Sequence, residues 1–214
     1  MLKKRLHTAA SLVHEGDILC DVGSDHAYLP LMLIESGVIK RAIACDVNPG
    51  PLAHGREHAL KRGIDTIDFI LSDGLTAVGQ DFDVAAICGM GGELIIKIIT
   101  EGGARAQKRL ILQPMTGIEK LRAFLWQNGY NITDELFAVE DKKPYCIIAA
   151  NYDGERRNFT YTELYLGKIR PNTPEFTAWA VKIRRSAEKR LRGADTNEAE
   201  NINVLIKECR HYEA

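Results

Sequence analysis

The sequence predicts an α/β fold: a mostly parallel sheet over residues 1–155, then a basic helical appendage over residues 156–214. Three observations carry that expectation. Short apolar runs alternate with helical patterns through the first part, as in parallel strands joined by crossover helices. Each run ends in Asp, Gly, Ser or Gln-Pro, the residue types found where a parallel sheet builds a ligand site. Beyond residue 172 apolar residues recur every three or four positions in two blocks joined by a short loop, which predicts an antiparallel helix pair.

Taken in order, Leu2 to Val13 reads as a helix packed ahead of the sheet. Ile18–Val22 is the first strand, and Tyr28–Ile34 the amphipathic helix that follows it. Arg41–Cys45 is the second strand; Pro49-Gly50-Pro51 opens the next helix, with Pro51 suited to its first turn. Ile67–Leu71 and Val84–Cys88 are strands three and four, and Glu93–Thr100 a helix. Leu110–Leu112 is the fifth strand, ending in Gln113-Pro114-Met115, and Ile118–Gln127 a helix with apolar Ile118, Leu121 and Leu125. Ile132–Val139 and Tyr145–Asn151 form a hairpin at one edge. Residues 152–172 read as a linker. The two final helices carry Phe176, Ala180, Ile183, Ala187 and Leu191, then Ile202, Leu205 and Cys209, with Asp195 or Thr196 as N-cap between them.

A chain of 214 residues with 45% hydrophobic and 27% charged content holds one full core plus an appendage. No apolar run is long enough to span a membrane, and no secretory leader follows Lys3, Lys4, Arg5 and His7. Five scattered cysteines without a C-x-x-C pair read as reduced thiols of a cytoplasmic protein. The net charge of −1 hides an asymmetry: −5 over residues 1–155, +7 over residues 156–192 and −3 beyond. A basic segment on an acidic body suggests a polyanionic partner, although a solvated helix face accounts for most isolated charge runs.

The chemistry concentrates at the corner after strand one, Cys20 to Pro30. Asp21 closes the strand and Gly23 makes the tight turn. The amides of Ser24 to Ala27 then stand at a helix N-terminus, which favours polar or anionic ligand groups. A dinucleotide fingerprint needs G-x-G-x-x-G, and here Gly23 stands alone. Acid-x-Gly-x-x-x-small is closer to the corner of S-adenosylmethionine (SAM) enzymes, with Asp25 and Ala27 where further glycines would fall. Asp46, about 20 residues on, is placed to grip a ribose diol. Asp73 stands beside it for an exocyclic amine, and Gly89, Gly91 and Gly92 let backbone approach a ligand. His54-Gly55-Arg56-Glu57-His58 fits a zinc-protease pattern, but it sits back from the strand ends; two histidines on a solvated helix face explain it, and no metal is expected.

These residues, read together, resemble the bacterial tRNA (adenine(22)-N1)-methyltransferase family, TrmK. The pieces that carry the resemblance are D-V-G-S-D-H-A-Y-L-P from Asp21, D-V-N-P-G-P-L from Asp46, S-D-G-L from Ser72, C-G-M-G-G-E-L-I from Cys88 and L-I-L-Q-P-M from Leu110. The resemblance implies a class I, Rossmann-like SAM domain with a helical, coiled-coil-like appendage, and methyl transfer to N1 of an adenine in tRNA. It makes Asp25 the catalytic acid. Three positions depart from the family pattern: Asp46 and Cys146 where Glu is usual, and Met115 where Asn is usual. The last two leave open how the target base is held.

The cofactor set expected on these grounds is Asp21, Gly23, Ser24, His26, Asp46, Val47, Asp73, Gly74, Gly89 and Met90. Tyr28, Gln113 and Pro114 are expected to hold the base, and Arg184, Arg185, Lys189 and Arg190 the tRNA backbone. The protein is expected to act as a monomer. A nicotinamide-dependent oxidoreductase is disfavoured by the missing second glycine. A non-catalytic RNA-binding protein is disfavoured by five consecutive site-like strand ends, and a small-molecule methyltransferase by the basic appendage.

Overall fold

The structure, a computed structural model, describes residues 3–79 and 81–213. Its centre is a seven-stranded sheet in the order β3-β2-β1-β4-β5-β7-β6. The strands are β1 (Ile18–Val22), β2 (Arg41–Asp46), β3 (Ile67–Leu71), β4 (Val84–Gly91), β5 (Arg109–Thr116), β6 (Tyr130–Glu140) and β7 (Lys143–Tyr152). The first five run parallel, and β7 and β6 join antiparallel at one edge. Side chains alternate across the pleat: Cys20 and Val22 enter the core on one side of the sheet, Leu19 on the other. Both faces of β1 are thereby covered, as a parallel sheet requires.

The helices are α1 (Lys4–Ala10), α2 (Tyr28–Glu35), α3 (Pro49–Lys61), α4 (Gly92–Gly102), α5 (Ile118–Gln127), α6 (Tyr161–Leu166), α7 (Pro174–Leu191) and α8 (Thr196–His211). α1 is shorter than its apolar pattern suggests, ending at Ser11; Leu2, expected at its start, lies outside the described residues.

Two expectations are corrected. β4 and β5 run past Cys88 and Leu112, because register shifts at Cys88/Met90 and Met90/Gly91 let the pairing continue to Gly91 and Thr116. The glycine run and Gln113-Pro114 are therefore part of bulged strands rather than loops beyond them. The stretch expected as a linker contains α6, closed by a capping box in which Thr160 accepts from the Glu163 amide and Glu163 from the Thr160 amide.

That stretch is also fixed to the sheet. Arg122 on α5 and Glu135 on β6 form an ion pair at 2.6 Å with both side chains 0% exposed. Arg122 also donates to the Leu164 and Tyr165 carbonyls, and Glu135 accepts from the Lys168 and Ile169 amides. Phe176 and Trp179 of α7 then pack on Phe137 of β6, so one apolar core runs from the sheet into the helical appendage.

α7 and α8 are antiparallel. Thr177 near the start of α7 donates to the Tyr212 carbonyl beyond α8, while Arg190 near its end reaches Glu198 at the start of α8. Asp195 is the N-cap, accepting from the Glu198 amide at 2.9 Å. All five cysteines are free thiols, and four of them are buried. No helix among the described residues is long and apolar enough to cross a membrane.

Candidate active site

Strands are added outward from β1 in one direction as far as β3 and from β4 in the other, and a crevice opens outside the carboxyl ends of β1 and β4 where that order reverses. A cavity of about 910 Å³ lies there. Asp21, Gly23, Asp25, Tyr28, Asp46, Val47, Asp73, Gly74, Gly89 and Met90 all line it. The corner, β2, β3 and β4 thus converge as their strand-end residues suggest.

The corner is tightly determined. Gly23 has φ +71°, and a Cβ there would overlap the Met90 terminal methyl. Its amide and that of Ser24 both donate to the Cys45 carbonyl, and the Asp25 amide donates to the Gly23 carbonyl. The Ser24 and Asp25 amides are therefore engaged by protein acceptors. Ser24 also acts on Asp21, donating its hydroxyl to that carboxylate at 2.6 Å. Asp21 is buried, and burial raises its pKa to about 6; the Ser24 hydrogen bond opposes the rise and the Asp46 charge adds to it.

His26 and Ala27 both adopt left-handed backbone, with φ 60° and 56°, an unusual pair for non-glycine residues. This turn leaves Asp25 outside, its side chain 78% exposed, with the carboxylate 3.0 Å from His26 Nε2. The His26 ring packs against Tyr28, His54 and His58, with centroids 5.4, 5.2 and 5.6 Å away. The i, i+4 histidines of α3 thus support the corner, a tertiary contact that helical spacing alone does not reveal. No group of three His, Cys, Asp or Glu among the described residues could hold a metal. His26 itself stands behind Asp25 and outside the cavity lining.

On the far side of the site the placement differs from expectation. Gln113 is 0% exposed: its carbonyl accepts from Arg5 Nε at 3.1 Å and its amide donates to the Pro114 carbonyl at 3.0 Å. Pro114 is buried too, and neither residue reaches the cavity. Arg5 of α1 lines the wall there, a residue that nothing in the local sequence marks as special. Met115 is exposed, while Cys146 is buried beneath Arg122, so the two family departures fall in different environments.

The four cations expected on the RNA lie on α7 and divide into pairs. Arg184 is held by Glu213 and Glu188, and Arg190 by Glu198 and the Tyr161 and Tyr165 hydroxyls. Arg185 and Lys189 are exposed and form no ion pair among the described residues.

Fold and site define a class I, Rossmann-like methyltransferase domain, and a family profile described as a methyltransferase domain matches residues 2–148. The tRNA (adenine(22)-N(1))-methyltransferase of Bacillus subtilis (strain 168) is 34% identical over 164 residues, covering 72% of this chain and 69% of the relative. The structure of M. capricolum TrmK with S-adenosyl-homocysteine aligns over 99% of this chain and 97% of that one, with TM-score 0.81 and 27% identity. A Streptococcus pneumoniae protein in complex with S-adenosyl-L-methionine aligns over 100% of both chains, with TM-score 0.86 and 32% identity. The chain belongs to the tRNA (adenine(22)-N(1))-methyltransferase family.

The residues present fit SAM. Asp46 keeps one carboxylate oxygen beyond the one that accepts the Asn48 amide, and Asp73 is exposed at the next strand end. In sheet order, β3 and β2 offer acceptors for adenine and ribose, and β1 a buried carboxylate for an ammonium.

Proposed function

We propose that this chain methylates N1 of adenine 22 in tRNA with Asp25 as the catalytic carboxylate, residues 1–155 holding SAM and residues 156–214 contributing to the tRNA grip. The enzyme is a SAM-dependent tRNA adenine-N1 methyltransferase by family. The observation that supports the residue assignment is the exposed Asp25 carboxylate at the cavity mouth, oriented by His26 and adjacent to Tyr28.

Bound SAM supplies an electrophilic methyl group on a sulfonium. Adenine N1 brings its own lone pair, so no base has to remove a proton first. The protein's task is to place the ring and to support the positive charge that appears on it. Asp25 accepts a hydrogen bond from the N6 amine and stabilises that charge. Tyr28, 43% exposed beside it, offers a ring face for the base. A base stacked in a helix cannot be reached, so the target is extruded or already unpaired. Asp46 and Asp73 hold the nucleoside end of the cofactor. Arg185 and Lys189 contact phosphates, and Arg184 and Arg190 hold the helix pair that presents them. The protein acts as a cytoplasmic monomer in this reading.

The test is incubation of the protein with labelled SAM and tRNA, followed by nucleoside analysis. Label should appear as 1-methyladenosine and vanish when adenine 22 is replaced by guanine. Label at another base, or none, would overturn the reading.

A further inference from the structure

We infer that Arg5 of the N-terminal helix binds the carboxylate of the cofactor's methionine end, which makes α1 part of the cofactor site. The inference rests on SAM occupying the strand-end cavity.

The methionine end carries an ammonium and a carboxylate on one carbon, so its site needs an anion and a cation close together. The sheet register locates both. Asp21 of β1 lies opposite Ala86 of β4, and Gln113 of β5 lies opposite Cys88 of β4. Asp21 and Gln113 therefore flank the end of β4, on the strands either side of it. Gln113 is fully buried and holds Arg5 by its Nε. Arg5 thus stands over one flank of β4 and the Asp21 carboxylate at the other.

Three cations line the cavity, Lys3, Arg5 and Arg62, together with His7. Arg62 is paired with Glu35 at 2.9 Å, and Lys3 and His7 are exposed. Arg5 is fixed. Its side chain is 14% exposed, Nη1 donates to Glu140 at 2.6 Å, and the Tyr145 ring centre lies 5.7 Å from the guanidinium carbon. The Arg5 amide also donates to Glu140, which ties the start of α1 to β6.

A guanidinium has five donors. Gln113 takes the one on Nε and Glu140 one on Nη1, and Nη2 has no protein partner among the described residues. A part-buried cation with donors to spare in a cavity wall is arranged to receive an anion. Glu140 offsets its charge while the site is empty, which keeps Arg5 in place without filling its remaining donors. The positive charge also makes Arg5 unsuited to the base itself, since methylated adenine is a cation.

The experiment is a cycle of ligand against protein change, read by calorimetry with SAM and with decarboxylated SAM. Arg5→Met should weaken SAM about ten- to a hundredfold, the range of a charge-assisted hydrogen bond. It should leave decarboxylated SAM as tight as before or tighter, since a positive charge has been removed beside a more cationic ligand. Equal losses for both ligands would overturn the inference, because Arg5 would then only dock α1. Unchanged SAM affinity with a raised KM for tRNA would also overturn it, and would place Arg5 on the RNA. Should Arg5→Met not fold, Arg5→Lys serves: a point charge cannot make the fork, so SAM weakens and decarboxylated SAM does not. If the unmutated protein bound no SAM, the cofactor assignment would fail before the question of Arg5 arose.

Discussion

The corner after β1 and the antiparallel pair α7–α8 both concentrate charge, but they hold it differently. At the corner the acids keep capacity for a ligand. Asp25 stands 78% exposed, and Asp46 has a spare oxygen facing a cavity. In the helix pair much of the charge is already used: Arg184 and Arg190 tie α7 to Glu213 beyond α8 and to Glu198 within it. A local surplus of one sign therefore marks a binding surface only after internal pairing has been subtracted.

The sharpest way to break this contrast is at the joint between the two regions. Arg122→Met leaves Glu135 buried without its cation and the Leu164 carbonyl without its side-chain donor, while the Tyr165 carbonyl keeps the Trp179 indole. Stability in urea should fall by about 3–5 kcal/mol. Arg122→Met combined with Glu135→Leu should recover part of the loss. A fall under about 1 kcal/mol for the single change would mean that the appendage is not fixed through this pair.

The next effect belongs to the corner. Asp21, with its pKa raised to about 6 by burial, stabilises the ligand-free fold in its neutral form; that contribution is complete below about pH 4 and lost as pH rises through 6. A cationic ligand favours the ionised form. SAM affinity should therefore increase with pH up to about 6 and level off above it, the limiting slope on the acid side approaching about tenfold per pH unit. Calorimetry between pH 4.5 and 7 checks this, and Asp21→Asn should flatten the profile. A flat profile in the unmutated protein would remove Asp21 from the cofactor site.

The smallest effect separates the two kinds of arginine on α7. Replacing Arg185 and Lys189 with Ala should reduce the slope of log tRNA affinity against log salt by about 0.7–0.9 per lost phosphate contact. Arg184→Ala should lower Tm slightly and leave that slope alone. If Arg184→Ala changed the slope as much as the other two, pairing within the protein would not decide which cations meet RNA.

What the sequence made legible was local. The strands themselves, the corner and the residues at the carboxyl ends of β1 to β4 follow from patterns a few residues long, and the cavity brings them together. The misplacements all depend on distant partners. Gln113 is taken by a residue 108 positions away, so its glutamine side chain looks available until Arg5 is seen. Arg184 finds Glu213 across 29 positions. The i, i+4 histidines do face solvent in part, His54 exposed and His58 half-buried, but their contact with His26, 28 and 32 positions away, does not show in helical spacing. α6 had a signal, Thr160-Tyr161-Thr162-Glu163, which is a capping box; at six residues the helix is too short to show periodicity. The edge hairpin was legible, but its two-residue turn was not: Asp141 and Lys142 both take positive φ with neither Gly nor Asn to mark it.

The most direct test of the central claim, that the exposed corner acid supports methyl transfer while the cofactor is held elsewhere, is single-turnover methylation by Asp25→Ala at saturating SAM and tRNA. The rate should fall about 10²- to 10³-fold, the cost of removing one preorganised electrostatic contact, with SAM affinity within about twofold of the unmutated protein. A rate close to that of the unmutated protein would contradict the assignment of Asp25.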